Sequence, residues 1–173
     1  MKYRLMSGTL YSDKNEPLAT IHQEFCTQEK QISTADGKHT CHTSVLSDRN
    51  DFRGDVHHKK YICTDESGSA LLSADPEYRE HEDPSEAGWP VNRMPVVDHA
   101  VVNMFGTQYC LVMENSGRYI LSAPGGKNVL SIIHRGLKGG WNLDSSLRIS
   151  PEILCGIFSF CRYIEQENEF LIV

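Results

Sequence analysis

Short runs in which apolar and polar residues alternate, separated by turn-forming pairs, occupy most of this chain. The turn signals are Asp13-Lys14-Asn15, Asp36-Gly37, Ser67-Gly68, Ser116-Gly117 and Pro124-Gly125-Gly126, and glycine and asparagine at such places supply the positive φ that tight hairpins need. Residues Tyr3 to Leu10 and Leu18 to Phe25 flank the first turn, and Gln31 to Thr34 with Lys38 to Ser44 flank the second. Further on, Tyr109, Leu111 and Met113 fall on one face of a strand and Tyr119 and Leu121 on one face of its partner, the period of two expected of a half-buried sheet. The stretch Tyr61 to Ala74 lines up with Tyr109 to Ala123 when one residue, Asn115, is inserted at the turn. Both spell strand, acidic turn, strand, through either an internal duplication or the restrictive chemistry of hairpins.

Three stretches break this pattern. Ser47 to Lys60, with Asp48, Asp51, Asp55, His57 and His58, reads as a long surface connection, and Asp75 to Pro95, with four prolines and a run of acids, reads as a longer one. The third lies near the end. Ser150-Pro151-Glu152 is a helix start, with an N-cap serine, proline at the first helical position and an acid facing the positive end of the helix dipole. Ile153 to Ile164 is then apolar almost all round, interrupted by Ser159 and Arg162. A helix without a polar face must be enclosed by protein. Two arrangements satisfy that requirement: the inside of a curved or closed sheet, where Gly156 and Ser159 would admit strands closely, or a place under one face of an open sheet. The expected fold is the first, a mainly β, antiparallel barrel of serial hairpins around a buried C-terminal helix, as a single domain over residues 1–173.

Composition narrows the function classes. Lysine and arginine number 17 against 23 acids, a formal charge of −6, which argues against a general nucleic-acid binder with a basic face. The first residues, Met1 to Gly8, carry charge without an apolar stretch behind them, and Ile153 to Ile164 falls short of the roughly 20 residues a membrane-spanning helix needs. The expectation is a soluble, cytoplasmic protein whose six cysteines, lacking any C-x-x-C pair, are reduced and mostly buried.

The paired segments Tyr61 to Ala74 and Tyr109 to Ala123, the run Val129 to His134 leading through Gly139-Gly140-Trp141-Asn142-Leu143, and the terminal Ile153 to Ile164 together resemble the tubby-like C-terminal domain superfamily. That superfamily includes tubby proteins, phospholipid scramblases and LURP-one-related proteins. The resemblance covers most of the chain as a pattern and implies a β-barrel threaded by a central hydrophobic helix. The acidic proline-rich segment has no counterpart in the family, and the basic residues through which tubby proteins hold phosphoinositide headgroups are not matched here by position.

Candidate chemistry is sparse. His39, Cys41, His57 and His58 form the densest set of metal-ligand types, together with His42 and Cys63, but without C-x-x-C or H-x₃-H spacing. Cys110, Asp98-His99 and His134 supply a thiol and bases for nucleophilic catalysis, with no elbow motif to assemble them. Pro124-Gly125-Gly126-Lys127 lies between strands and is a turn, not a phosphate loop. Arg135 to Trp141 offers Arg135, Lys138, flexible backbone and an indole, a combination suited to an anionic headgroup, and Lys59-Lys60 is the other basic pair. The sequence therefore points to a non-catalytic binding or scaffold module without a cofactor. Its partner is another protein or an anionic lipid headgroup, and Lys59, Lys60, Arg135, Lys138 and Trp141 are the candidate contacts. The alternative is a metal-binding or hydrolytic enzyme using the histidine and cysteine set.

Overall fold

The computed structural model describes residues 1–23, 28–47, 59–79 and 96–169. Twelve strands follow one another: β1 (Lys2–Met6), β2 (Thr9–Ser12), β3 (Pro17–Gln23), β4 (Lys30–Thr34), β5 (Thr40–Ser47), β6 (Lys59–Asp65), β7 (Ala70–Tyr78), β8 (Val97–Met104), β9 (Thr107–Asn115), β10 (Arg118–Ser122), β11 (Asn128–His134) and β12 (Trp141–Ser145). Each is antiparallel to its neighbours in the chain, and β1 pairs with β12 in the register Tyr3↔Leu143 and Leu5↔Trp141, which closes the sheet into a barrel. Closure removes the free sheet edges that would otherwise template aggregation.

Among the described residues there is one α-helix, α1 (Pro151–Glu169), which follows β12. It opens as its sequence predicts, on Pro151 with Glu152 in the first turn, and the Leu154 N–H donates to the Ser150 carbonyl at 3.1 Å. Every residue from Ile153 to Cys161 is buried. Nine consecutive residues at 3.6 per turn point in all directions, so α1 is surrounded rather than laid on a face. It packs on β3 through β9, while Tyr119 of β10 and Trp141 of β12 reach it with side chains. The enclosed arrangement is therefore the one adopted, and the open-sheet alternative is excluded.

Strand alternation feeds this core. In β12, Trp141, Leu143 and Ser145 point inward and Asn142 and Asp144 outward. Both resembling segments form hairpins, β6–β7 and β9–β10, with inward Tyr61, Cys63, Leu72 and Ala74 in one and Leu111, Tyr119 and Leu121 in the other. Gly156 allows the close approach its size suggests: a Cβ there would stand 3.2 Å from Leu72 Cδ2 and 3.4 Å from Cys63 Sγ.

Several boundaries differ from the sequence reading. Tyr3 to Leu10 is not one strand but two, broken by a turn at Ser7-Gly8 with φ of 48° and 81°; serine in the left-handed region is uncommon enough that the turn escapes sequence inspection. Lys59 and Lys60 stand in β6 rather than in a surface connection. Asp75 to Tyr78 continue β7, and Pro76 is tolerated because it pairs with Ala100 of β8 beyond the last β6 partner, Tyr61↔Ala74, where a strand can do without its N–H. The helix runs five residues past Ile164, to Glu169, and Glu165 and Glu167 in that stretch find partners inside the barrel. The remainder of the two long polar segments, 48–58 and 80–95, lies outside the described residues.

Candidate functional site

Because the strands alternate in direction, the barrel has two distinct ends. The turns β2–β3, β4–β5, β6–β7, β8–β9 and β10–β11 share the lower end with the start of α1; β1–β2, β9–β10 and β11–β12 share the upper end with its finish. The charged side chains of the interior, among the described residues, gather at the upper end. Tyr119 Oη donates to Glu165 Oε2 at 2.8 Å, and Arg162 pairs with the same carboxylate. Glu167 accepts from Tyr61 Oη at 2.5 Å and Tyr78 Oη at 3.0 Å and pairs with Lys59 Nζ at 3.0 Å. Asn168 bonds both the N–H and the carbonyl of Val97. Acids near a helix C-terminus oppose the dipole, and these partners offset that cost. Burial, followed by the charge of Glu167, holds the Tyr61 and Tyr78 phenols well above their usual range, so both remain donors.

One group in this network lacks an acceptor. Lys30 occupies the inward slot of the β4 alternation, with Ile32 inward and Gln31 outward. It is only 6% exposed, and its ammonium makes no hydrogen bond among the described residues. Its Nζ lies 4.1 Å from the centre of the Tyr163 ring, a cation–π contact that offsets only part of the desolvation cost of a buried charge. Burial first, and the neighbouring Arg162 second, push the Lys30 pKa down to about 8. The Tyr163 hydroxyl is committed elsewhere, to the Thr43 hydroxyl and to the Gln28 carbonyl, and burial pushes its pKa up to about 12.

Lys30 borders a cavity of about 490 Å³ in the mouth of the upper end. Phe158, Arg162 and Gln166 recur every four residues along α1 and present one helix face to it; Trp141 and Leu5 from the closing strands complete the apolar floor. The Phe158 and His134 rings both meet Trp141 edge-on, at 5.4 Å and 4.8 Å. Gly140 fixes the rim: its φ is +77°, and a Cβ there would lie 2.5 Å from the Leu5 carbonyl oxygen, a clash that only glycine avoids.

The sequence-predicted contacts divide over this geometry. Trp141 forms part of the cavity, and the connection that precedes it, including a 3-10 turn at Gly136–Lys138, leaves and rejoins the lining at His134 and Gly140. Arg135 is half-buried with Nη1 3.3 Å from Met6 Sδ, whereas Lys138 is exposed and makes no ion pair among the described residues. Lys59 and Lys60 are both occupied within the chain, by Glu167 and by Asp75 at 3.3 Å. Lys30 and Arg162, which do line the cavity, were not among the contacts read from sequence. The signal was present: Ile32 must point inward, so Lys30 two positions earlier must as well.

The alternative chemistry does not assemble. Cys41 is buried and takes a hydrogen bond from Cys63, while His39 is exposed in the β4–β5 turn, so the two do not share a site; His57 and His58 lie outside the described residues. Among the described residues no group of three histidine, cysteine or acidic side chains is placed to hold a metal ion. The register sets Cys110 opposite Val101 and His99 opposite Val112, one step apart on the barrel wall, and His99 Nδ1 lies 3.0 Å from Asp98. No thiol–imidazole hydrogen bond joins Cys110 to His99, and burial together with Asp98 raises the Cys110 pKa, the opposite of what a nucleophilic thiol needs. His134 is remote from that pair, on β11. A second concavity of about 800 Å³, at the lower end beside Asn103, Phe105 and Gln108, has no charged lining residue among the described residues. Among the described residues no helix is long and apolar enough to cross a membrane. No protein-family model matches the chain, and neither a curated protein nor a solved structure does.

Proposed function

We propose that the protein is a non-catalytic binding module of tubby-like type that docks its upper end on an anionic lipid surface. One observation carries this reading: Leu137 is fully exposed at the tip of the β11–β12 connection, between Arg135 and Lys138, with Met6 and Ile133 exposed nearby. An apolar tip flanked by cations is the arrangement in which a side chain enters the acyl boundary while its neighbours meet headgroups. Burying a leucine is worth roughly 1.5–3 kcal/mol, and each cation near an anionic surface about 1 kcal/mol. The sum describes weak, reversible attachment. The net charge of −6 opposes approach at low salt, but charges more than a Debye length of about 8 Å from the surface are largely screened at physiological ionic strength. A sheet closed around a C-terminal helix supports the tubby-like part of the reading.

Co-sedimentation with phosphatidylcholine vesicles, with and without phosphatidylserine or phosphoinositide, tests it. Binding is expected only to the anionic vesicles, and both Leu137→Glu and the Arg135→Glu, Lys138→Glu pair should weaken it by about tenfold or more. Absence of binding, or binding indifferent to these substitutions, would overturn the proposal.

A further inference from the structure

We propose that the upper-end cavity is an oxyanion-binding site, in which Lys30 supplies the charge and Trp141 with Phe158 supports the apolar body that carries a carboxylate or phosphate group. This goes beyond membrane attachment, because it concerns a recess inside the barrel mouth and a ligand that need not be a lipid.

The first argument is an imbalance of charge. Lys30 and Arg162 both line the cavity, and Arg162 is already paired with Glu165, which is 4% exposed and also accepts from the Tyr119 hydroxyl. Among the described residues that line the cavity there are two cations, Lys30 and Arg162, and no carboxylate, and Lys30 has no hydrogen-bonded anion, in a setting where an opposite charge is worth more than at the surface. The strand neighbours of Lys30, Gln23 on β3 and Thr43 on β5, are neutral. The remaining titratable groups around it are Cys161 and Tyr163 on α1, His134 across the cavity and Glu29 beside it in the chain. None hydrogen-bonds the ammonium among the described residues.

The second argument is unspent donor capacity. A lysine ammonium has three N–H donors and no acceptor, and the Tyr163 ring meets it from one side only. A buried charge whose donors are unused is costly, yet a methionine would fill the same inward slot without that cost. Retention of the charge beside a cavity with an aromatic floor matches a site that completes itself when an anion enters. Phosphate and carboxylate share the needed chemistry: oxygens able to accept from Lys30 and, at the cavity edge, from Arg162 or the Gln166 amide.

The probes are phenyl phosphate and benzoate, with phenol as the neutral control and sodium chloride at matched ionic strength. At ten times the dissociation constant, either anion should raise the melting midpoint of the intact chain by roughly 3–6 °C, whereas phenol and chloride should not. Lys30→Met should fold and lose the shift. Lys30 loses its proton near pH 8, so affinity should fall about thirtyfold between pH 7 and 9.5, where an exposed lysine would hold its charge. A shift that survives in Lys30→Met, or no shift with either anion, would overturn the site. The Arg135→Glu, Lys138→Glu variant separates the two proposals: it should lose vesicle binding and keep phenyl phosphate binding. Competition by vesicles bearing phosphatidate would assign the occupant to a lipid headgroup, and its absence with soluble binding intact would assign a free anion; the site stands in both cases.

Discussion

The two halves of α1 lie in the same barrel and are enclosed in opposite ways. Around the lower half, Ile153, Leu154 and Ile157 are buried among apolar strand residues, and Gly156 lets Leu72 and Cys63 close on the helix axis. Two thiols packed there are held protonated: burial raises Cys155, and a hydrogen bond to Cys41 followed by burial raises Cys63. Around the upper half, two glutamates, an arginine, an asparagine and three tyrosines form a hydrogen-bonded lining, with Lys30 left over. The difference teaches that a closed sheet can be plugged by packing alone at one end, while the other end is specified by pairing polar groups one by one. The group left unpaired is then where a ligand is to be sought.

Substitutions that carry the chemistry of one end into the other should break this contrast. Ile157→Asp puts an unpaired carboxylate into the apolar half, at a penalty of several kcal/mol against a typical total stability of about 5–15 kcal/mol. No folded protein is expected by circular dichroism, and a soluble chain with a cooperative melt would refute the enclosed helix. In the upper half, Glu167→Ala removes the acceptor shared by Tyr61, Tyr78 and Lys59. It leaves a buried phenol unsatisfied, for an expected loss of about 2–4 kcal/mol in denaturant unfolding. Gly156→Val overfills the contact with Leu72 and Cys63 and should destabilise by roughly 1–3 kcal/mol.

The last substitution acts in the other direction. Lys30→Met removes a buried charge without a hydrogen-bond acceptor and should stabilise the protein at pH 7 by about 1–3 kcal/mol. Its pH dependence has a definite sign. Lys30 loses its proton near pH 8 when folded and near 10.5 in the open chain, so between those values the unfolded state binds more protons and stability rises with pH. The penalty is fully present below pH 8 and gone above 10.5, so the advantage of Lys30→Met should shrink across that window. The buried thiols of Cys63, Cys155 and Cys161, raised above their usual values, make both proteins less stable over the same range. The difference between the two proteins isolates the lysine.

Much of the architecture was legible in the sequence because it rests on local rules. Turn pairs, the period of two in Tyr109 to Met113, and Pro151 after Ser150 each act within a few residues, and an apolar helix with no polar face leaves few places to put it. What escaped depends on partners distant in the chain. The roles of Glu165 and Glu167 escaped, since nothing nearby in sequence announces that Tyr119 reaches the first across 46 residues and that Tyr61 and Tyr78 reach the second across 106 and 89. Lys59 and Lys60 looked free for the same reason. Lys30 was missed by one position: the strand was read from Gln31, and the alternation anchored at Ile32 turns Lys30 inward only if the strand begins one residue earlier. Trp141, singled out as a headgroup contact, lies in the lining of the upper-end cavity.

The most direct test of the central claim is titration of the Lys30 ammonium by nitrogen NMR, with the Lys30→Met variant to assign the signal and with phenyl phosphate as the added anion. The predicted result is a midpoint near pH 8 in the free protein, moving upward when the anion binds. A midpoint above 10 that the anion leaves unchanged would contradict both the unpaired burial of Lys30 and the site built on it.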